Sequence, residues 1–302
     1  MDQNNLKKCM SENEYQAYQK LCTKNGKMMV IAMDQRNSMR VLLSDDEEVV
    51  KSVDNKELGK VKARLVKYLG NHAPAVLLDP ECALPGIVED GTLSKEVALV
   101  VGLDASGYDV DPNTMLRESR VVKGVDAGKV KEFGGNAAKL LVFMRPDQEE
   151  DHLYTSQLIR KTADDFQQKD VLLVVEILVY KLKDETPEQF KARKPELIKD
   201  AACLAIDSGA KVLKLQYPGS AEMCRKVSDA TGDVPWAVLS QGVSHEVFIE
   251  QLRIAIENGA SGAIAGRSLW KDCVSLSPEE MKDRLQNLAL PRLKEILALL
   301  NK

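Results

Sequence analysis

Four charged side chains interrupt apolar runs of strand length. Asp34 ends the run from Met28, Lys139 lies within Ala137–Phe143, Glu176 within Val171–Ile177, and Lys214 within Lys211–Pro218. A charge in such a run costs on the order of several kcal/mol to desolvate unless an opposite charge lies beside it. Each residue alone has a structural explanation. An acid at a strand end caps the next helix, and a buried lysine–glutamate pair can be packing. A lysine near a strand end can also lay its stem on apolar surface and keep its ammonium in water. Together, two amines and two carboxylates describe chemistry. Burial and a second nearby ammonium both depress a lysine pKa, leaving one amine as a neutral nucleophile while the other stays cationic. Such an amine forms imines with carbonyl compounds, and Glu176 is suited to move the protons.

The elements that carry these residues repeat. Eight apolar runs alternate with helical segments: Met28–Asp34, Ala75–Asp79, Val97–Gly102, Ala137–Phe143, Val171–Ile177, Lys211–Pro218, Trp236–Ser240 and Gly262–Ala265. Runs apolar throughout suit strands buried on both faces. The spacing predicts helices near 12–24, 56–69, 125–133, 153–168 and 220–230. Ser11 and Glu14 form a capping box that opens the first helix, and Gly26 closes it. Thr186, Pro187 and Gln189 open another, which Pro195 breaks or kinks. Ser244 and Ser277 cap two more, and an amphipathic tail ends at Lys302. The segment 37–55 reads as an excursion after the first strand, with Ser44–Glu48 as a solvated helix start. This is the pattern of an α/β fold, a (β/α)8 TIM barrel, with a doubly wound open sheet as the alternative. No linker rich in Pro, Gly or Ser divides the chain, so residues 1–302 read as one domain with an N-terminal helical extension over 1–27. In a barrel the fourth, fifth and sixth strands are neighbours, and Lys139, Glu176 and Lys214 converge inward.

The last two strands add a second signal. Ser240-Gln241-Gly242 and Gly266-Arg267 place small residues just beyond strands seven and eight, where barrels often bind phosphate through backbone N–H groups. Glycine is also the ordinary turn residue; Arg267 is what makes the pair an anion cradle. An amine beside a phosphate site points to aldol cleavage of a sugar phosphate through an imine on Lys214. Glu176 or Asp34 would take the hydroxyl proton. The alternatives are another Schiff-base activity of transaldolase or deoxyribose-phosphate type, a metal-dependent aldolase, and a phosphosugar-sensing regulator without turnover.

Composition narrows the field. His72, His152 and His245 are far apart, and six cysteines are scattered without a C-x-x-C pair. No metal, no cofactor and no disulfide framework is therefore expected. A net charge of −4 argues against nucleic acid as the main partner. No apolar run is long enough to cross a membrane, and the first residues carry no apolar signal region. The expectation is a cytoplasmic enzyme acting on a small phosphosugar, associating as a homo-oligomer as such barrels often do.

The motifs Ile31-Ala-Met-Asp34-Gln35-Arg36, Leu77-Leu-Asp79-Pro-Glu81, Val175-Glu176-Ile-Leu, Val212-Leu-Lys214, Leu239-Ser240-Gln-Gly242-Val-Ser244 and Ala265-Gly266-Arg267-Ser-Leu-Trp270 carry a resemblance. In order and spacing they resemble the class I tagatose-1,6-bisphosphate aldolases. They are also similar to the related sulfofructose-phosphate aldolases, which share Asp-Gln-Arg followed by Met-Arg, here Met39-Arg40. The resemblance runs from Met28 to Asp272. It implies that Lys214 forms the Schiff base, that Glu176 is its acid/base partner, and that Lys139 and Asp34 line the site. It implies that Ser240, Gly242, Gly266 and Arg267 hold the phosphate of the dihydroxyacetone-phosphate half, and that Gln35 and Arg36 face the aldehyde half. The implied reaction cleaves tagatose 1,6-bisphosphate to dihydroxyacetone phosphate and glyceraldehyde 3-phosphate. The alternative cleaves sulfofructose 1-phosphate to dihydroxyacetone phosphate and sulfolactaldehyde. Two departures bear on substrate. Gln216 stands where the tagatose enzymes carry an acid, which removes a charge near the imine. Arg145, in Met144-Arg145-Pro146-Asp147, is expected to meet a second anion, as in the sulfofructose enzymes. Lys211 reads as an ordinary strand-entry lysine near water.

Overall fold

The computed structural model describes residues 9–148 and 153–302; residues 1–8 and 149–152, with His152, lie outside the described residues. Ten strands form among them: β1 Met28–Ala32, β2 Ala75–Leu78, β3 Ala98–Gly102, β4 Asp104–Val110, β5 Arg117–Val121, β6 Ala137–Met144, β7 Leu172–Val179, β8 Val212–Leu215, β9 Trp236–Leu239 and β10 Gly262–Ala265. All but β4 and β5 pair in parallel and close a barrel in the order β1-β10-β9-β8-β7-β6-β3-β2. The open sheet is excluded by the pairing of β1 with both β10 and β2.

Alternation sets the two faces of each strand. Val30, Leu77, Val100, Ala137, Val174 and Val212 belong to one buried cluster inside the barrel. Their sequence neighbours Ile31, Val76, Leu99, Ala138, Val175 and Leu213 belong to a second, larger cluster that packs strands against helices. The inward set continues in steps of two to Lys139, Glu176 and Lys214, so the charges lie on the inner face by register alone.

The base of the barrel is plugged by α1, Glu12–Lys20, opened by the Ser11–Glu14 capping box. Tyr15, Tyr18 and Leu21 insert among the inward residues. This helix ends before residue 24, because Leu21 turns fully into the core and Cys22 bridges Met28. Gly26, in the left-handed region, makes the turn into β1. Lys211 is not a free strand-entry lysine. Its ammonium lies 2.7 and 2.9 Å from the two carboxylate oxygens of buried Glu14 and fastens α1 beneath the barrel.

Two segments depart from expectation. Helix α2, Pro187–Asp207, runs unbroken through Pro195. An interior proline costs about 3 kcal/mol. Beyond it the helix buries Leu197, Ile198 and three alanines, and each large aliphatic side chain returns about 1.5–3 kcal/mol, so burial wins. The stretch between β3 and residue 122, which carries no apolar run, is an antiparallel hairpin of β4 and β5. Its turn is built by the Asp111 carboxylate, which accepts from the N–H groups of Asn113 and Thr114 at 2.7 and 2.9 Å. The hairpin is pinned over β6 by Phe143 N–H donating to Ser119 Oγ and by the Tyr154 hydroxyl donating to the Ser119 carbonyl. No helix among the described residues is long and apolar enough to cross a membrane.

Candidate active site

The C-terminal ends of the barrel strands surround a cavity of about 460 Å³, whose wall includes Asp34, Asp104, Lys139, Glu176, Lys214 and Arg267. That size suits a phosphorylated sugar. Glu176 and Lys214 are direct register partners on β7 and β8. The carboxylate oxygen Oε2 of Glu176 lies 2.8 Å from the Lys214 ammonium. Lys139 pairs in register with Val174, one inward step below Glu176. Its long side chain climbs to reach Asp34 at 2.7 Å, Glu176 at 3.1 Å, and Asp104. Two lysines and three carboxylates thus form one connected cluster, drawn from β4, β6, β7, β8 and the end of β1.

The cluster sets its own charge states. For Lys139 burial opposes the charge, but Asp104, Asp34 and Glu176 outweigh it and hold the ammonium charged well above the usual lysine range. Burial would raise Glu176, yet Lys214 and Lys139 keep it below its ordinary value. Asp34 is likewise buried and likewise held down, by Lys139 and Lys214. Asp104 goes the other way. Burial raises it, Lys139 offsets this only in part, and the charges of Asp34 and Glu176 push it further up. Glu176 and Asp34 are therefore held ionised, and Asp104 is the carboxyl readiest to keep a proton. Asp104 was not among the residues expected from sequence. It is the first residue of the hairpin, and only the fold brings it to Lys139.

Several buried polar atoms on residues of the cavity wall have no partner among the described residues. Asp34 Oδ1, Gln35 Oε1 and Arg36 Nε accept or donate nothing among the described residues. Groups of this kind normally find a partner, and hydroxyls of a bound polyol would supply one.

A model of the DeoC/LacD family aldolases matches residues 28–272. The chain belongs to that aldolase family. With a buried amine in the sixth barrel strand, it is a class I aldolase. Two relatives are named tagatose 1,6-diphosphate aldolases. The one from Streptococcus agalactiae serotype III is 26% identical with 95% of each chain covered, and one from Staphylococcus epidermidis is 25% identical with 89% of each covered. The barrel is shared by solved fructose-bisphosphate aldolases. The Slackia heliotrinireducens enzyme superposes with a TM-score of 0.67 at 17% identity, covering 96% of this chain and 90% of its own. A Schiff-base-forming fructose-1,6-bisphosphate aldolase gives 0.65 at 17%, covering 94% and 98%.

In this aldolase the far wall from Asp104 is made by the loops after β9 and β10. Ser240, Gln241, Gly242, Gly266 and Arg267 all line the cavity there. The N–H of Gly266 donates to Ser240 Oγ at 3.3 Å, tying the two loops together. Gly242 sits at φ +76°, 3.5 Å from Arg267 Nε measured from where a side chain would begin. At Gly266 a side chain would meet the Ala32 carbonyl at 2.9 Å and the Gln35 amide at 3.3 Å. Gly266 thus lets the end of β1 approach closely, and Gly242 makes the left-handed turn beside Arg267. Arg267 has no acid or carbonyl partner among the described residues.

The remaining expected residues divide. Gln35 and Arg36 line the cavity, but Arg36 is ion-paired to Glu81 and donates to the Asp104 carbonyl at 2.6 Å. Arg145 does not line the cavity. It is fully buried outside the cavity wall, and its five N–H donors go to Asp147, Glu185 and the Tyr180 carbonyl. An arginine satisfied in this way has no donor left for an anion. Gln216 also points away from the amine. Its side-chain oxygen accepts from the N–H of Val179 at 2.9 Å and holds the end of β7, so it serves backbone and not a proton relay.

Proposed function

We propose that the enzyme cleaves tagatose 1,6-bisphosphate to dihydroxyacetone phosphate and glyceraldehyde 3-phosphate through an imine on Lys214. The observation that carries this reading is the single carboxylate oxygen of Glu176 placed 2.8 Å from the Lys214 ammonium at the cavity floor. Relatives about a quarter identical over some nine-tenths of both chains, and named for that substrate, support the choice of sugar. Arg145, whose freedom would favour a sulfonate at the far end, is fully engaged.

Glu176 takes the proton that the ammonium must lose, and the neutral amine adds to the ketose C2 carbonyl. The carbinolamine loses water, with its hydroxyl leaving as the Glu176 carboxyl returns the proton. A carboxylate, Glu176 or Asp34, then takes the C4 hydroxyl proton. The C3–C4 bond breaks, its electron pair moves into the protonated imine, and the aldehyde departs. The resulting enamine regains a proton at C3, and water releases dihydroxyacetone phosphate and the free amine. Lys139 never needs to give up its proton. It offsets part of the repulsion among three neighbouring carboxylates, and its charge favours the ionised Glu176. Ser240, Gly242, Gly266 and Arg267 would bind the phosphate on C1, and Gln35 and Arg36 would meet the aldehyde half. Six unpaired thiols among the described residues support a reducing compartment such as the cytoplasm.

The test is borohydride reduction with dihydroxyacetone phosphate, followed by peptide mapping. The expected adduct is on Lys214, and its absence there rules out the imine route. A panel of tagatose 1,6-bisphosphate, fructose 1,6-bisphosphate and sulfofructose 1-phosphate, read by triose release, ranks the sugars. Fastest kcat/KM on the sulfonate sugar overturns the substrate choice.

A further inference from the structure

A bisphosphate has an anion at each end, yet among the described residues the cavity wall offers one open cation. Lys139 and Lys214 are held by carboxylates, and Arg36 by Glu81 and a carbonyl. Arg267 remains, beside Gly242 at the β9–β10 side. The far end of the substrate lies away from it and needs another donor.

Arg117, the first residue of β5, is not itself in the cavity wall but packs against Phe143, which is. Its guanidinium carbon lies 4.4 Å from the ring centre of Tyr108, 4.4 Å from Tyr180 and 5.6 Å from Phe143. Phe143 is a wall residue of the cavity on β6, four places round the barrel from β10. The hairpin that carries Arg117 also supplies Ala105, Ser106 and Gly107 to that wall. Three aromatic rings lie against the guanidinium, and among the described residues its side chain donates to no oxygen and meets no carboxylate. Half-buried, it keeps its N–H edges for something that is not protein. A guanidinium packed against aromatic rings with its donors unmatched is able to recognise a tetrahedral oxyanion bidentately.

We propose that Arg117 is a specificity-determining residue that receives the anionic group at the far end of the ketose, the phosphate on C6. This rests on the aldolase reading above and assigns the second anion that Arg145 cannot take.

The experiment compares Arg117→Ala and Arg117→Lys with wild type on tagatose 1,6-bisphosphate and tagatose 1-phosphate. Arg117→Ala should lose about 10- to 100-fold in kcat/KM on the bisphosphate, mainly through KM, as expected for removing charge-assisted hydrogen bonds. On the monophosphate it should stay within about threefold, a change below that of a single hydrogen bond. Arg117→Lys should recover part of the bisphosphate activity and match Arg117→Ala on the monophosphate. Equal losses on both sugars would show that Arg117 only docks the hairpin and would overturn the proposal. So would no loss on either. The borohydride adduct with dihydroxyacetone phosphate needs no far-end anion and reports on the aldolase reading separately. An adduct in wild type and Arg117→Ala alike, with equal losses on the two sugars, rejects this proposal and leaves that reading standing; no adduct in either rejects both.

Discussion

Glu176 Oε2 lies 2.8 Å from the ammonium of Lys214, and the same oxygen lies 3.1 Å from the ammonium of Lys139. One carboxylate oxygen therefore serves two amines rooted on strands either side of its own. Such sharing ties the nucleophile to the cation that does not react. A proton leaving Lys214 moves toward an oxygen whose basicity Lys139 already moderates.

Replacing Glu176 by glutamine keeps the shape and removes the proton acceptor. Turnover should fall by about 10²- to 10⁴-fold, the usual range for losing a general acid/base. The yield of trapped imine at long times should survive while its rate of formation drops. An unchanged rate of imine formation would move the proton-transfer role to Asp34.

Lys139→Met leaves Asp34, Asp104 and Glu176 buried together without their common cation. Removing one partner of a buried ionic cluster typically costs about 3–5 kcal/mol. In the variant the three carboxyls repel, so their folded-state pKa values rise above the unfolded ones. A raised carboxyl makes the folded state bind protons first, so the variant should recover stability as pH falls from 8 toward 5. In wild type the Lys139 contribution is present throughout that range, since its pKa is raised and is lost only in strong alkali. Urea unfolding at the two pH values reads the difference. A deficit of the same size at both would mean that packing of the lysine stem, not charge, is what was lost.

Arg267→Ala should weaken phosphorylated ketoses by about 10- to 100-fold in kcat/KM, the loss expected for a charge-assisted contact. Its side chain is half-buried and has no ion pair among the described residues, so the melting temperature should hardly move. Cleavage of an unphosphorylated ketose should be unaffected. A matching loss on that substrate would remove Arg267 from the phosphate site.

Much of this architecture is legible in the amino-acid sequence. Apolar runs mark the eight barrel strands because parallel strands are buried on both faces, and the charges within them stand out against that background. Period-two alternation then puts Lys139, Glu176 and Lys214 on the inner face. The hairpin is not legible. Its strands are largely exposed, carry Asp, Ser, Gly and Arg, and lack the apolar signal that betrays a buried strand. Asp104 and Arg117 are lost with it, since their partners Lys139, Phe143 and Tyr180 come from β6 and the end of β7. Arg145 shows the opposite limit. An arginine in a strand-end loop looks the same in sequence whether it awaits an anion or already has Glu185, 40 residues on, in its grasp. Pro195 misleads for a related reason, because local propensity cannot register the burial that keeps the helix whole.

The Arg145 cluster gives a prediction that separates structure from substrate binding. Hydrogen bonds from Arg145 hold Glu185 down to about 2 from the usual 4.5, and with Arg193 they hold Asp147 below the carboxylate range as well. Both folded-state values lie below the unfolded ones, so the unfolded chain takes up protons first on acidification. Their contribution is complete above about pH 4.5 and is lost as pH falls toward 2. Arg145→Met should therefore be destabilised most at pH 6, and the gap to wild type should narrow at pH 3. Arg193, 2.8 Å from Glu185 and 2.6 Å from Asp147, keeps part of the cluster and prevents complete loss. Where the variant is folded, KM for either phosphosugar should match wild type, because Arg145 does not face the cavity. A raised KM with unchanged stability would return Arg145 to the substrate, and with it the sulfonate sugar.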